Sequence, residues 1–236
     1  MARLYGQKEN IDTETVKDFF DSRAETKVDN LLEVTSFHEE DNLKKRQQED
    51  LNVILDNMDL TGKKIFEIGC GVGRWAEVFH DKCDQYLGID YSKNLIDIAN
   101  ENYNYNNCYF QEMSAVNIDV NALLVNPPFD IILITGVLLF FNDEDFPKMI
   151  KSVNDIVSDD KIIYIRETIS LVNERLTLKD FYSEDLKTDY NAIYRTKEEF
   201  LELFKDFDNI SEIKSGNIFD ELRKFDETGY QYFVLK

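Results

Sequence analysis

"IFEIGCGVGRWAEVF", residues 65–79, decides how this chain is read. A short apolar run, Ile65 to Ile68, stops at Gly69-Cys70-Gly71-Val72-Gly73 and gives way to the helical pattern "GRWAEVFH". Glycines between a buried strand and a helix allow a tight turn and let a ligand approach the backbone closely. The dinucleotide fingerprint G-x-G-x-x-G would put a glycine at position 74, where this chain has Arg74. An acidic residue, Glu67, stands two positions before the first glycine. The next strand pattern, "QYLGID", ends on Asp90, 17 positions beyond Gly73. A carboxylate there can accept hydrogen bonds from both hydroxyls of a ribose. It can also cap the helix that starts near Ser92, and the two roles are compatible.

Working outward, the flanks alternate. Helical patterns "SKNLIDIANENY" and "DEDFPKMIKSVNDIV" separate the strand patterns "NCYFQEM", "FDIILITG" and "KIIYIRET". "RTKEEFLELF" reads as a helix with Thr196 and Glu199 at capping-box spacing. "NISEIKSG" and "GYQYFVLK" read as two final strands. Apolar strands alternating with helices imply a mostly parallel sheet covered on both faces, an α/β class. Before the core, residues 12–24 and 41–58 read as helices, the second with Leu51, Ile54, Leu55 and Met58 at helical spacing.

With Glu67, Gly69, Gly71, Gly73 and Asp90 in place, the chain resembles the class I S-adenosylmethionine-dependent methyltransferases, whose first motif is [DE]-x-G-x-G-x-G. The resemblance implies a three-layer Rossmann-like sandwich with a seven-stranded, mostly parallel sheet and an antiparallel last strand. It implies one domain over 1–236, with N-terminal lid helices in 1–60. The core then spans 61–236, with a substrate-covering insertion at about 170–196. It implies that the loop residues Gly69, Cys70, Gly71 and Arg74 lie at the cofactor and that Glu67 organises its amino group. Asp90 would take the ribose and Tyr91 the adenine. In "FQEMSAV" the family's usual Asp is replaced by Met113, followed by Ser114, so the adenine edge is expected on Ser114, backbone and apolar contact. Thr135 and Gly136, after the fourth core strand, are expected at the cofactor as well. Arg23 and Tyr5, by the same resemblance, would close over the cofactor from the N-terminal segment.

Asn126-Pro127-Pro128-Phe129 has the letters of the amino-methyltransferase NPPF motif. In those enzymes it follows the fourth strand, whereas here it precedes "DIILITG". The letters are therefore read as a turn at the opposite end of the strand. On the acceptor side, His38 and Glu167 are the candidate bases. Arg166, Tyr182, Tyr190, Asn191, Tyr194 and Arg195 are the candidate acceptor-binding residues, with an alternative in which the 176–200 aromatics fill a small core of their own. No metal is expected, because no Asp-Asn pair follows the fifth strand and Asp143 and Asp145 read as helix caps.

Of the residues, 43% are hydrophobic and 13% aromatic, and the net charge is −20. That field repels phosphate backbones and argues against nucleic-acid substrates. A local basic pocket could still hold one small anion. There is no signal-peptide core or membrane-length apolar run, and three cysteines make no disulfide framework, so a cytoplasmic location is expected. The expected activity is methyl transfer from S-adenosylmethionine, leaving S-adenosylhomocysteine, to a small polar acceptor, with oxygen the expected atom. The chain is similar to bacterial methyltransferases of surface-polysaccharide and sugar-nucleotide pathways. Two alternatives stand beside it: a methyltransferase acting on protein or RNA, and a non-catalytic cofactor-binding subunit. Nothing in the sequence separates a monomer from a homodimer.

Overall fold

A computed structural model describes residues 2–25, 40–184 and 186–236. Its main sheet holds seven strands: β2 (Lys64–Ile68), β3 (Gln85–Asp90), β4 (Cys108–Glu112), β5 (Phe129–Thr135), β6 (Val157–Ser170), β9 (Ile213–Ile218) and β10 (Thr228–Leu235). They lie in the order β4-β3-β2-β5-β6-β10-β9. The pairs from β4 to β6 are parallel, and β10 runs antiparallel to both neighbours. This is the Rossmann-like methyltransferase fold. Sequential strands on both sides of β2 reverse the order there, so the C-terminal ends of β2, β3 and β5 open a crevice at one edge.

Both sheet faces are apolar because period-2 alternation sends neighbours to opposite sides. One face carries Phe66, Ile68, Ile132 and Ile134, packed under α5 (Asp145–Asn154) and α6 (Lys197–Leu203). Phe146, Met149, Ile150 and Val153 of α5 are all buried, each contributing about 1.5–3 kcal/mol relative to exposure. The other face carries Ile65, Tyr86, Ile131 and Leu133 under α3 (Arg74–Phe79), α4 (Lys93–Asn102) and the end of α2 (Glu40–Asn57). α6 begins with the expected capping box, Thr196 Oγ1 accepting from Glu199 N (3.2 Å) and Glu199 Oε2 from Thr196 N (3.0 Å).

Two regions depart from the sequence reading. The 170–196 insertion is an antiparallel hairpin, β7 (Leu176–Ser183) and β8 (Thr188–Tyr194). Residues at the N-terminus, read without structure, form β1 (Ala2–Tyr5), which pairs with β7 and completes a second, three-stranded sheet. Of the two helices expected as lids, α1 (Thr13–Glu25) lies over the crevice, with Val16 against Ile193 and Ala24 against Val72 and Leu95. α2 lies along the sheet instead, because Ile54 and Met58 continue its core. No helix among the described residues is long and apolar enough to cross a membrane.

Asn126, Pro127 and Pro128 sit before β5, where Lys64 Nζ, at the start of β2, donates to the Asn126 carbonyl (3.0 Å). The starts of parallel strands are the edge away from the crevice. Asn126 is exposed. Replacing Asn126 with alanine is expected to leave turnover within about twofold of wild type, as for other exposed substitutions. A thousandfold loss of turnover in a folded variant would restore the amide-binding reading of these letters.

Candidate active site

The crevice holds two cavities that meet. The first, about 330 Å³, is lined by Gly69, Gly71, Asp90, Tyr91, Met113 and Ser114, with Phe20 of α1 across from them. Gly71 has φ +54°, and a Cβ built on it would meet nothing within 4 Å, so the loop leaves open space above its backbone. Asp90 clamps that loop. Its Oδ2 accepts from Gly71 N (3.0 Å) and its Oδ1 from Ser92 N (2.9 Å). Burial pushes its pKa up to about 6, against the lowering effect of those two N–H bonds. The helix cap itself is Ser92, whose Oγ accepts from Leu95 N (3.3 Å) and donates to Asp21 of the lid helix.

Other residues expected at the cofactor lie elsewhere. Glu67 is buried behind the loop with the Tyr86 hydroxyl donating to its Oε2, and it lines neither cavity. Burial raises its pKa to about 8. The Cys70 side chain points under the loop, its Sγ 2.9 Å from a Cβ built on Gly88. Arg23 lies over the Phe19 ring, 5.2 Å from its centroid. Tyr5 is exposed on β1 and donates to Glu227. The β1–β7 pairing explains the place of Tyr5, which it carries onto the second sheet.

The second cavity, about 270 Å³, shares Phe20, Gly136 and Phe140 with the first. Arg74 and Thr135, expected at the cofactor, line this second chamber instead, and so do Arg166, Tyr190 and Tyr194. At the junction Phe20 and Phe140 meet edge to face (5.2 Å), and Phe140 meets Tyr190 (6.0 Å). Gly136 has φ +76°, and Arg166 Nη1 lies 3.0 Å from where its Cβ would be, so a guanidinium covers the glycine between the two cavities. Arg166 is held by the buried Asp50 of α2 (Nε to Oδ2, 3.2 Å), which also accepts from the Tyr164 hydroxyl (2.5 Å).

The other residues expected on the acceptor side line neither cavity or lie outside the described residues. Glu167 is fully buried and lines neither cavity. Its Oε1 accepts from Val137 N and Leu138 N, both at 2.8 Å. It fixes the turn after β5, and burial raises its pKa to about 7. Oε1 is thus taken up by two loop amides, while Oε2 is buried with no hydrogen-bond partner among the described residues. Arg195 is also fully buried, donating to the carbonyls of Leu138 (3.1 Å) and Phe141 (2.7 Å) and to Asp143 (2.7 Å). Asn191 Oδ1 accepts from Asp180 N (2.9 Å), closing an irregularity in the hairpin. Tyr182 is exposed and lines neither cavity. His38 lies outside the described residues.

Sequence reasoning missed Arg46, Lys224 and Tyr230, all of which line the second chamber. One signal was available for Arg46. It falls on the buried stripe of α2, between Leu43 and Asp50, and a charge on such a stripe needs a reason. Lys224 sits in the loop before β10 and Tyr230 in β10 itself, with no motif to mark them.

Residues 65–160 match the protein family described as "Methyltransferase domain". The ribosomal RNA small subunit methyltransferase A of Mesomycoplasma hyopneumoniae (strain 232) is 31% identical over 111 residues, covering 45% of this chain and 43% of that protein. The chain thus spans less than half the length of this curated relative. Among solved structures, DhpI with S-adenosylhomocysteine (SAH) is similar at TM-score 0.65 and 14% identity, covering 95% of this chain and 96% of that one. Phosphoethanolamine N-methyltransferase 1 of Haemonchus contortus, with phosphoethanolamine and S-adenosylhomocysteine, is similar at TM-score 0.70 and 16% identity. That match covers 94% of this chain and 48% of the other. Residues 65–160 thus match a methyltransferase domain, on a fold shared with structures solved with S-adenosylhomocysteine.

Proposed function

We propose that the protein transfers the methyl group of S-adenosylmethionine to an oxygen of a small polar acceptor, of the sugar, nucleotide-sugar or phosphate kind found in surface-polysaccharide synthesis. The observation that carries this reading is the pair of cavities joined at Gly136, Phe20 and Phe140. The first fits the cofactor. The open face of Gly71 gives room against the backbone, the Asp90 carboxylate suits a ribose, and Met113, Ile89 and Leu95 suit an adenine. When bound, the cofactor supplies an electrophilic methyl on a sulfonium. The chain's part is alignment: Glu167 and Arg195 fix the turn that carries Gly136 and Phe140, and α1 closes the crevice with Phe20.

A chamber of about 270 Å³ suits a small molecule, and the charge of −20 disfavours the RNA acceptor that the ribosomal relative acts on. The test is incubation with methyl-labelled S-adenosylmethionine and a lysate fractionated by size, with Gly71→Arg as control. Label in the small-molecule fraction, absent with the variant, is expected. Label in RNA or protein would sink the small-acceptor reading.

Ionised Asp90 is the form that accepts from two hydroxyls. Affinity for S-adenosylhomocysteine is therefore expected to fall as pH drops through about 6, while Asp90→Asn binds weakly with a flat profile. Calorimetry across that range checks it. The same raised pKa opposes folding: ionising this buried group costs stability as pH rises toward and through that value.

A further inference from the structure

We propose that the acceptor atom is an oxygen of a phosphate-type dianion, held by Arg46, Arg74 and Arg166 in the second chamber, and that the product is its methyl ester. This rests on the methyl-donor reading above and names its substrate class.

Charge is the first ground. The described residues lining the chamber include Arg46, Arg74, Arg166 and Lys224 and no carboxylate, in a chain of net charge −20. The three arginines come from α2, α3 and β6, three elements far apart in sequence that the fold brings to one wall. Arg46 stands 4.8 Å from the ring centroids of both Phe219 and Tyr230, and Arg166 5.7 Å from that of Phe219, so planar guanidiniums are held over aromatic faces. Burial and then repulsion from Arg166 push the Arg46 pKa down to about 9, so the cations crowd one another while remaining charged at neutral pH. A dianion relieves that repulsion, and guanidinium forks match phosphate oxygens in pairs.

The second ground is the absence of a base. A hydroxyl acceptor needs its proton removed. Among the described lining residues there is no histidine and no carboxylate. Burial pushes the Tyr194 hydroxyl up to about 12 and Tyr190 well above its ordinary value, so both are donors at neutral pH. Glu167 lines neither cavity: its Oε1 is taken by the amides of Val137 and Leu138, and its Oε2 is buried away from the chamber. A phosphate-type oxygen arrives with its lone pair and charge. Its lone pair forms the O–C bond, the C–S bond breaks, and that pair returns to sulfur as the sulfonium becomes a neutral thioether. The dianion becomes a monoanionic ester and no proton moves. Arg166 covers Gly136 at the junction, so an anion on it sits at the mouth of the donor pocket.

The test titrates inorganic phosphate, then acetate, into SAH-saturated protein by calorimetry, using wild type, Arg46→Gln and Arg74→Gln. Phosphate is expected to bind wild type and to bind either variant about tenfold or more weakly, the loss of a charge-assisted bond. Acetate is expected to bind far more weakly than phosphate. Equal phosphate affinity in all three proteins, no phosphate binding, or acetate binding as tightly would overturn the proposal while SAH binding leaves the donor reading intact. Loss of SAH binding in wild type would remove both. A second readout uses ¹³C-methyl S-adenosylmethionine with the small-molecule lysate fraction. The product methyl is expected to be split by coupling to phosphorus, and an unsplit methoxy or an N-methyl signal would refute the ester.

Discussion

Replacing Asp90 with alanine is expected to weaken binding of S-adenosylmethionine and S-adenosylhomocysteine by at least about a hundredfold, from two lost charge-assisted hydrogen bonds at about 1.5–3 kcal/mol each. The loss has two parts. The ribose hydroxyls lose their ionised acceptor, and Gly71 N and Ser92 N lose theirs. Those two amides set the shape of the glycine loop and of the turn after β3, so the pocket loses its pre-organisation along with its contact. Asp90→Asn keeps an acceptor oxygen for one amide and is expected to fall between wild type and alanine. Calorimetry with S-adenosylhomocysteine checks the series. Affinity unchanged in Asp90→Ala would remove Asp90 from the ribose role and leave it as a loop clamp alone.

Arg195→Ala is expected to cost about 2–4 kcal/mol of stability, from the loss of a fully buried side chain and of its hydrogen bonds to interior loop carbonyls. Its guanidinium has 0% side-chain exposure and bonds Asp143 and two loop carbonyls. Removing it leaves the Phe141 carbonyl without that donor and the Leu138 carbonyl with only Phe141 N (3.2 Å). Asp143 keeps Arg175 at 3.0 Å, which is why the loss is not larger. Arg195→Lys places one ammonium where a planar fork serves three acceptors, and is expected to recover less than half of the loss. Urea unfolding measures both. A fall under about 1 kcal/mol, the level of a surface pair, would mean that the 138–143 loop is held by its apolar contacts instead.

The fold was legible because it rests on local patterns, and so were seven of the thirteen residues expected at the cofactor, which the structure brings to one cavity. The strand–glycine–helix run at 65–79, the acidic end of "QYLGID" and the position of "FDIILITG" each depend on a few consecutive residues. Gly69, Gly71, Asp90, Tyr91, Met113, Ser114 and Gly136 all line the first cavity. The acceptor half was legible only in part. Tyr190 and Tyr194 share one face of β8 and line the chamber, whereas Asn191 lies on the other face and accepts from Asp180 N. That strand lay outside the sequence reading. Arg195 and Glu167 looked like site residues because they are charged and lie near the right edge, but their partners are loop groups distant in sequence. Arg46, on a helix that continues the sheet's core, could be placed at the chamber only once the packing of α2 was known.

The account turns on where the sulfur of the cofactor lies. The most direct measurement is a crystal structure of the protein with S-adenosylhomocysteine. The predicted result has the ribose on Asp90 and the thioether sulfur at the junction of Gly136, Phe20 and Phe140, facing the arginine-lined chamber. A sulfur turned away from that chamber, or a cofactor bound outside the first cavity, would contradict it.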